Sequence, residues 1–296
     1  MRNSFRLSVL IVFALLFLDG KAGAVPYHYF RYNSDSGLPN NTIICCLSDR
    51  NGFLWVGTKD GMYRFDGHDF MVPDQMLRSE MNEGMIGAIC EDSDGTIWYS
   101  NIKGIGYYIP ETGETGAVKG LEGVMCYEME ADNDGNLWIL KTDIWAKGYD
   151  DSVIYRYSKK SGEIRSYPIS QGHFNAIEIT QDSGHNVWFN AEGSPYLYKY
   201  ISSTDSFDKV QVNIGGKPNE EPINHISTAS EGHLIISTES NRIFLFNAIA
   251  GSARLIHTME AGVYEIRTLL ERVKGEYWIG TSHGISIYAD GQAVHI

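Results

Sequence analysis

The segment Asp49-Arg50-Asn51-Gly52-Phe53-Leu54-Trp55-Val56-Gly57-Thr58 decides the fold, because its frame returns along the whole chain. Asp92-Ser-Asp-Gly95-Thr-Ile-Trp98-Tyr-Ser and Asp132-Asn-Asp-Gly135-Asn-Leu-Trp138-Ile-Leu repeat it closely. In Asp182-Ser-Gly184-His-Asn-Val-Trp188-Phe the glycine moves by one place. In Ser230-Glu-Gly232-His-Leu-Ile235-Ile-Ser-Thr238 an isoleucine replaces the tryptophan, and Lys274-Gly275-Glu-Tyr-Trp278-Ile-Gly-Thr281 restores it. Successive slots lie 43, 40, 50, 47 and 43 residues apart, and five of the six tryptophans occupy this one slot.

Working outward from the slot, each copy has the same order of short apolar runs. An inner run such as Ile43 to Leu47, Ile86 to Cys90, Ile177 to Ile179 or Ile223 to Ile226 leads into an Asp/Asn/Gly turn of the kind that joins antiparallel strands. The Trp strand follows, then a second turn and an aromatic strand: Met62 to Phe65, Ile105 to Ile109, Ile154 to Tyr157, Tyr196 to Tyr200, Ile243 to Phe246 and Ile285 to Tyr288. A fourth run, such as Ile164 to Tyr167, Arg254 to His257 or Gln292 to Ile296, closes the unit. Four short antiparallel strands in about 45 residues describe one blade of a β-propeller, so the fold class is all-β. The Trp slot is expected to be core, packed between adjacent blades. Tyr27 to Tyr32 also reads as a closing strand but precedes the first inner run. That gives six blades plus an orphan N-terminal strand, an incomplete seven-bladed ring, with the missing seventh blade as an expected partner.

Residues 1 to 24 carry a positive start (Arg2, Arg6), an apolar run from Leu7 to Leu18 and Ala22-Gly23-Ala24, the pattern of a secretory signal peptide. The propeller is expected to fill 25–296, in the periplasm. The chain has 24 Lys+Arg and 37 Asp+Glu; without the leader the balance is 21 minus 36, or −15. Such acidity argues against nucleic acid as a partner, which needs clustered basic residues. Cys45, Cys46, Cys90 and Cys126 read as small apolar fillers of inner strands, and spacing selects no pair for oxidation.

The first repeat, Tyr29-Phe30-Arg31-Tyr32, then Gly37-Leu38-Pro39-Asn40-Asn41, then Asp49 through Trp55-Val56-Gly57-Thr58 to Asp60-Gly61 and Arg64-Phe65-Asp66-Gly67, resembles the regulator-propeller repeats of bacterial hybrid two-component sensors. The resemblance implies a periplasmic sensing region of the kind abundant in gut Bacteroidetes. In that family the parent protein is anchored in the inner membrane, carries a second propeller and a histidine kinase, and responds to oligosaccharides from glycan breakdown. A homodimer of the full-length protein is a further implied partner. The chain stops at Ile296 without kinase, receiver or membrane helix, so phosphotransfer is assigned to no residue here.

Asp92-x-Asp94-Gly95 and Asp132-x-Asp134-Gly135 are read as turns. An EF-hand loop would place its glycine at the sixth position and a glutamate at the twelfth. Nine scattered histidines show no metal-ligand spacing, and neither a nucleophile elbow nor a phosphate loop is present, so no cofactor, metal or catalytic residue is expected. Ligand candidates fall on the turns between second and third strands, where loops ride on a rigid scaffold. Foremost are Trp145 and Asp143, in an insertion of the third repeat: an aromatic face supports sugar C–H surfaces and a carboxylate reads hydroxyls. Lys59, Asp60, Asn101, Lys103, Asn190, Glu192, Glu239, Asn241 and His283 accompany them, with Asn40 and Asn41 from the loop before the first strand. A secreted propeller enzyme acting on glycans, lyase or glycosidase, and a protein-binding propeller are the alternatives.

Overall fold

The computed structural model describes residues 30–77, 79–141, 153–168, 176–260 and 265–296. The expected leader and the insertion holding Asp143 and Trp145 lie outside them. The chain divides into two units between Leu38 and Pro39. In the first, Asn33 caps a single helical turn, Ser34–Ser36, by accepting from the amides of Asp35 and Ser36, and Gly37 ends it at φ 90°. Phe30 to Tyr32, the described part of the expected orphan strand, are not in a strand. A strand needs a neighbouring edge to satisfy its backbone groups, and no described strand pairs with this segment.

The second unit is all-β, with six four-stranded antiparallel blades arranged in a ring as a β-propeller. Blade 1 comprises Ile43–Ser48, Leu54–Thr58, Gly61–Phe65 and Phe70–Met71; blade 2, Ala88–Glu91, Ile97–Asn101, Gly104–Ile109 and Glu114–Ala117. Blade 3 comprises Glu128–Ala131, Asn136–Lys141, Val153–Ser158 and Ile164–Pro168; blade 4, Ala176–Gln181, Val187–Ala191, Tyr196–Ile201 and Ser206–Gln211. Blade 5 comprises Ile223–Thr228, His233–Thr238, Arg242–Asn247 and Ser252–Thr258; blade 6, Ile266–Val273, Glu276–Thr281, Gly284–Ala289 and Gln292–His295. A small hairpin, Asn213–Ile214 with Lys217–Pro218, extends blade 5 by pairing parallel to its fourth strand. Among the described residues no helix is long and apolar enough to cross a membrane.

The repeated aspartate explains the frame. In the first four repeats one carboxylate oxygen accepts the amides two and four residues on, closing the turn, and the other accepts the indole N–H six residues on. The indole bonds measure 2.8, 2.8, 2.7 and 2.9 Å for Asp49–Trp55, Asp92–Trp98, Asp132–Trp138 and Asp182–Trp188. A buried indole needs such an acceptor, which couples the two residue types. The fifth repeat loses both together: Ala229 stands six before Ile235, and both are buried. The turn also requires a left-handed residue. Gly52, Gly95 and Gly135 supply it at φ 84°, 92° and 83°, whereas the displaced glycine of the fourth repeat leaves His185 there at φ 64°.

Among the described residues five core clusters fill the seams between successive blades, from blade 1 through blade 6. Trp55, Met62, Ile86 and Tyr99 join blades 1 and 2, and Trp98, Cys90, Leu137 and Ile139 join blades 2 and 3. Trp138, Leu140, Ile179 and Val187 join blades 3 and 4. Removing one such aromatic side chain costs about 3–5 kcal/mol. Among the described residues no cluster joins blade 6 to blade 1, and Leu270, Val273, Ile285 and Val294 of blade 6 and Ile43 and Leu54 of blade 1 are exposed. His225 ties three blades together at the inner wall, donating from Nδ1 to Glu178 (2.6 Å) and from Nε2 to the Ile266 carbonyl (2.9 Å). Burial opposes its charged form, but the Glu178 carboxylate outweighs that and raises its pKa. All four cysteines are free thiols, and only Cys46 is exposed. Cys126 corrects the expectation of an inner strand: it precedes Glu128–Ala131, where its amide donates to Ser100 Oγ (2.8 Å). Burial pushes its thiol up to about 12.

Candidate functional site

In an antiparallel four-stranded blade the turns between strands one and two, and between three and four, lie on one face of the ring. The second-to-third turns and the links to the next blade lie on the other. The described residues singled out from sequence are on this second, loop face, in blades 1, 2, 4, 5 and 6. Several are used within the scaffold. Asn101 is fully buried; its amide donates to the Met81 carbonyl (2.6 Å) and its oxygen accepts the Lys103 amide (2.8 Å). Asn190, equally buried, donates to the Ile223 carbonyl (2.9 Å) and accepts the Glu178 amide (3.0 Å), which links blades 4 and 5. Lys103 pairs with Glu83 (2.9 Å). Asn40 donates to Asp60 (2.5 Å), bringing the loop before blade 1 onto its second turn. Lys59, Glu192 and Glu239 are exposed on separate blades. Asn241 closes its turn at φ 57°, and His283 bonds Ser282 Oγ (2.9 Å). Asn41 follows Asn40 at the start of blade 1, while Trp145 and Asp143 lie outside the described residues.

The opposite, turn face holds a feature that local sequence reading passes over. Between blades 3 and 4 a cavity of about 280 Å³ is lined by Asp132, Asp134, Asn136, Arg156, Arg165, His185, Ser202 and Asp205, among others. Its outer wall is a tight polar network. Asp205 Oδ1 accepts from Tyr167 and Tyr200 (2.6 Å each), Arg156 lies 3.1 Å from the same oxygen, and Arg165 pairs with Asp205 and with Glu163. The two tyrosine hydroxyls and the guanidiniums hold the Asp205 carboxyl well below the usual carboxylate range. At the inner wall, Asp132 takes the Trp138 indole and the Asn136 amide (2.8 Å). Asp134 is exposed, and among the described residues no side chain donates to it.

One seam earlier, the same frame is filled. Lys159 follows the third strand of blade 3 and reaches back to blade 2, placing Nζ 2.8 Å from Asp92 Oδ2, 2.7 Å from both oxygens of Asp94 and 2.8 Å from Thr96 Oγ1. It also lies 5.6 Å from the centre of the Trp98 ring. Hydrogen bonding with Asp92 and with Lys159 holds the Asp94 carboxyl well below its ordinary value; burial opposes the Lys159 charge, but both carboxylates raise its pKa. No space for a water remains there, the volume being about 0 Å³. In the seam between blades 3 and 4, Glu128 and Glu130 share the sheet face of Leu140 and Trp138, and burial raises their carboxyls to about 8 and about 7. Among the described residues no group of three or more His, Cys, Asp or Glu is disposed to hold a metal ion.

Residues 37–60 match the family described as two-component regulator propeller. A stretch of 72 residues, 24% of this chain, is 38% identical to histidine kinase P4 of Formosa agariphila and spans 5% of that protein. Among solved structures, the extracellular domain of BT4673, a B. thetaiotaomicron protein described as a hybrid two-component system, superposes with a TM-score of 0.68 at 16% identity. That superposition covers 91% of this chain and 34% of the other. Virginiamycin B lyase from Staphylococcus aureus superposes at 0.65 and 12% identity, over 89% and 85% of the two chains. At these identities the structural likeness is one of fold. The chain thus carries a two-component regulator propeller repeat and shares its fold with the extracellular domain of BT4673.

Proposed function

We propose that this chain is the periplasmic ligand-sensing propeller of a hybrid two-component sensor, and that its inputs are oligosaccharides released from glycans. The observation that carries the reading is the regulator-propeller repeat at 37–60, placed in the first of six blades built to one frame. The propeller acts as a binding module: the second-to-third turns present Trp145 and Asp143 to sugar, and the leader at 1–24 exports the chain. A ligand alters signalling only by preferring one packing of the propeller over another. The exposed apolar faces of blades 6 and 1 are where a further blade of the parent sensor packs, next to a second propeller.

Calorimetric titration of the exported chain with a panel of defined oligosaccharides tests the reading. At least one is expected to bind, with affinity reduced tenfold or more in Trp145→Ala. Cleavage of any oligosaccharide during the titration would favour an enzyme instead, and silence across the panel would remove sugar as the input.

A further inference from the structure

The paired aspartates of the turn frame occur in two repeats only. The second acidic position is Asn51 in the first repeat and Gly184 in the fourth, but Asp94 in the second and Asp134 in the third. In the second repeat the chain supplies its own counter-ion, the Lys159 ammonium. In the third repeat Ser202 stands in the place of Lys159, directly after the six-residue third strand of the next blade. A hydroxyl on one carbon replaces a four-carbon stem and its charge. The seam with lysine has about 0 Å³ open to water, whereas the seam with serine keeps about 280 Å³.

The remaining groups leave the vacancy specific for a cation. Asn136 donates its amide to both oxygens of Asp132, at 3.1 and 2.8 Å, which meets its hydrogen-bond demand without neutralising it. Arg156 and Arg165 on the far wall are engaged by Asp205 and Glu163. His185, which also lines the cavity, is held by the side-chain amide of Asn133. Among the described residues Asp132 and Asp134 have no ion-pair partner, and they occupy the frame positions that hold an ammonium one blade away.

We propose that the cleft between blades 3 and 4 binds a small ligand through a primary ammonium group, which occupies the position that Lys159 Nζ takes in the preceding seam. Ser202 and Tyr200 lie beside that position and read neighbouring hydroxyls or amides. Two sources supply this chemistry, an amino sugar with a free amine and the side chain of lysine. The site is on the face opposite the second-to-third turns and is independent of the oligosaccharide reading.

The test is calorimetry on the whole chain with glucosamine, N-acetylglucosamine, Nα-acetyl-lysine methylamide and its Nε-acetylated form. At least one free amine is expected to bind ten times or more tightly than its acetylated partner; which one does so identifies the source. That preference is expected to vanish in Asp134→Asn and in Ser202→Lys, the latter placing an internal ammonium in the cleft, and to persist in Trp145→Ala. Equal binding of free and acetylated forms, no binding of either amine, or amine binding undiminished in folded Ser202→Lys would overturn the proposal.

Discussion

The seam between blades 2 and 3 and the seam between blades 3 and 4 are built on one frame, Asp-x-Asp-Gly-x-x-Trp, yet the chain fills the first and leaves the second open. Both frames close the same turn and both accept an indole N–H from the tryptophan behind it. The seams differ in the side chain reaching from the following blade, Lys159 in one case and Ser202 in the other, and in the turn residue beside the aspartates, Thr96 or Asn136. Repeat proteins distribute stability over equivalent interfaces, so a departure at one interface leaves the others intact and frees a site.

The largest effect is expected from emptying the filled seam. Lys159→Ser removes the cation that pairs, among the described residues, with Asp92, which is 6% exposed, and with Asp94, which is 63% exposed. Breaking a fully buried pair costs about 3–5 kcal/mol, and the exposure of Asp94 reduces this to about 2. Thermal unfolding should therefore start about 4–8 °C lower, and the new cleft should bind the same primary amines as the native one. A variant that unfolds at the wild-type temperature would show that the lysine merely lies over the seam.

The two seams also differ in their response to pH. Asp94 titrates below its ordinary value when folded, so the stability it contributes is present above the unfolded pKa of about 3.9 and is lost as pH falls through the lowered folded value. Glu130 behaves in the opposite sense. Its carboxyl is raised to about 7 by burial, so its folded form is favoured below the unfolded value of about 4.3, and stability declines as pH rises from there through about 7. Glu130→Gln should raise the unfolding temperature by about 3 °C or more at pH 8 and leave it nearly unchanged at pH 4. An equal gain at both values would mean that the carboxyl is not the group responsible.

A smaller effect is expected from filling the open seam. Ser202→Lys should bring an ammonium to Asp132 and Asp134 and stabilise the chain by about 1 kcal/mol, the upper end for a pair with one exposed member, raising the unfolding temperature by about 2–4 °C. The gain should disappear when Asp134→Asn is added.

The blades were legible because the frame is local: turn residues, the Trp strand and the apolar runs all lie within one repeat. The expected inner strand at Ile223 to Ile226 is Ile223–Thr228, and the aromatic run at Ile285 to Tyr288 is Gly284–Ala289. The hairpin at 213–218 was missed, since Asn213-Ile-Gly-Gly-Lys-Pro218 shows no apolar alternation and pairs only because the fourth strand of blade 5 offers an edge. The aspartate's bond to the indole was also missed, although a signal existed: Asp stands six before Trp in four copies and is absent where Ile235 replaces it. The cleft was not legible from any motif, because Asp134, Arg165, His185 and Ser202 converge only through the packing of two blades. Aligning Ser202 with Lys159 after their third strands would have raised the question, but not shown that the seam stays open.

Counting amine sites by calorimetry in three proteins tests the central claim most directly. The account predicts one site in the wild type, none in Ser202→Lys and two in Lys159→Ser. The same number in all three, with each protein folded, would contradict it.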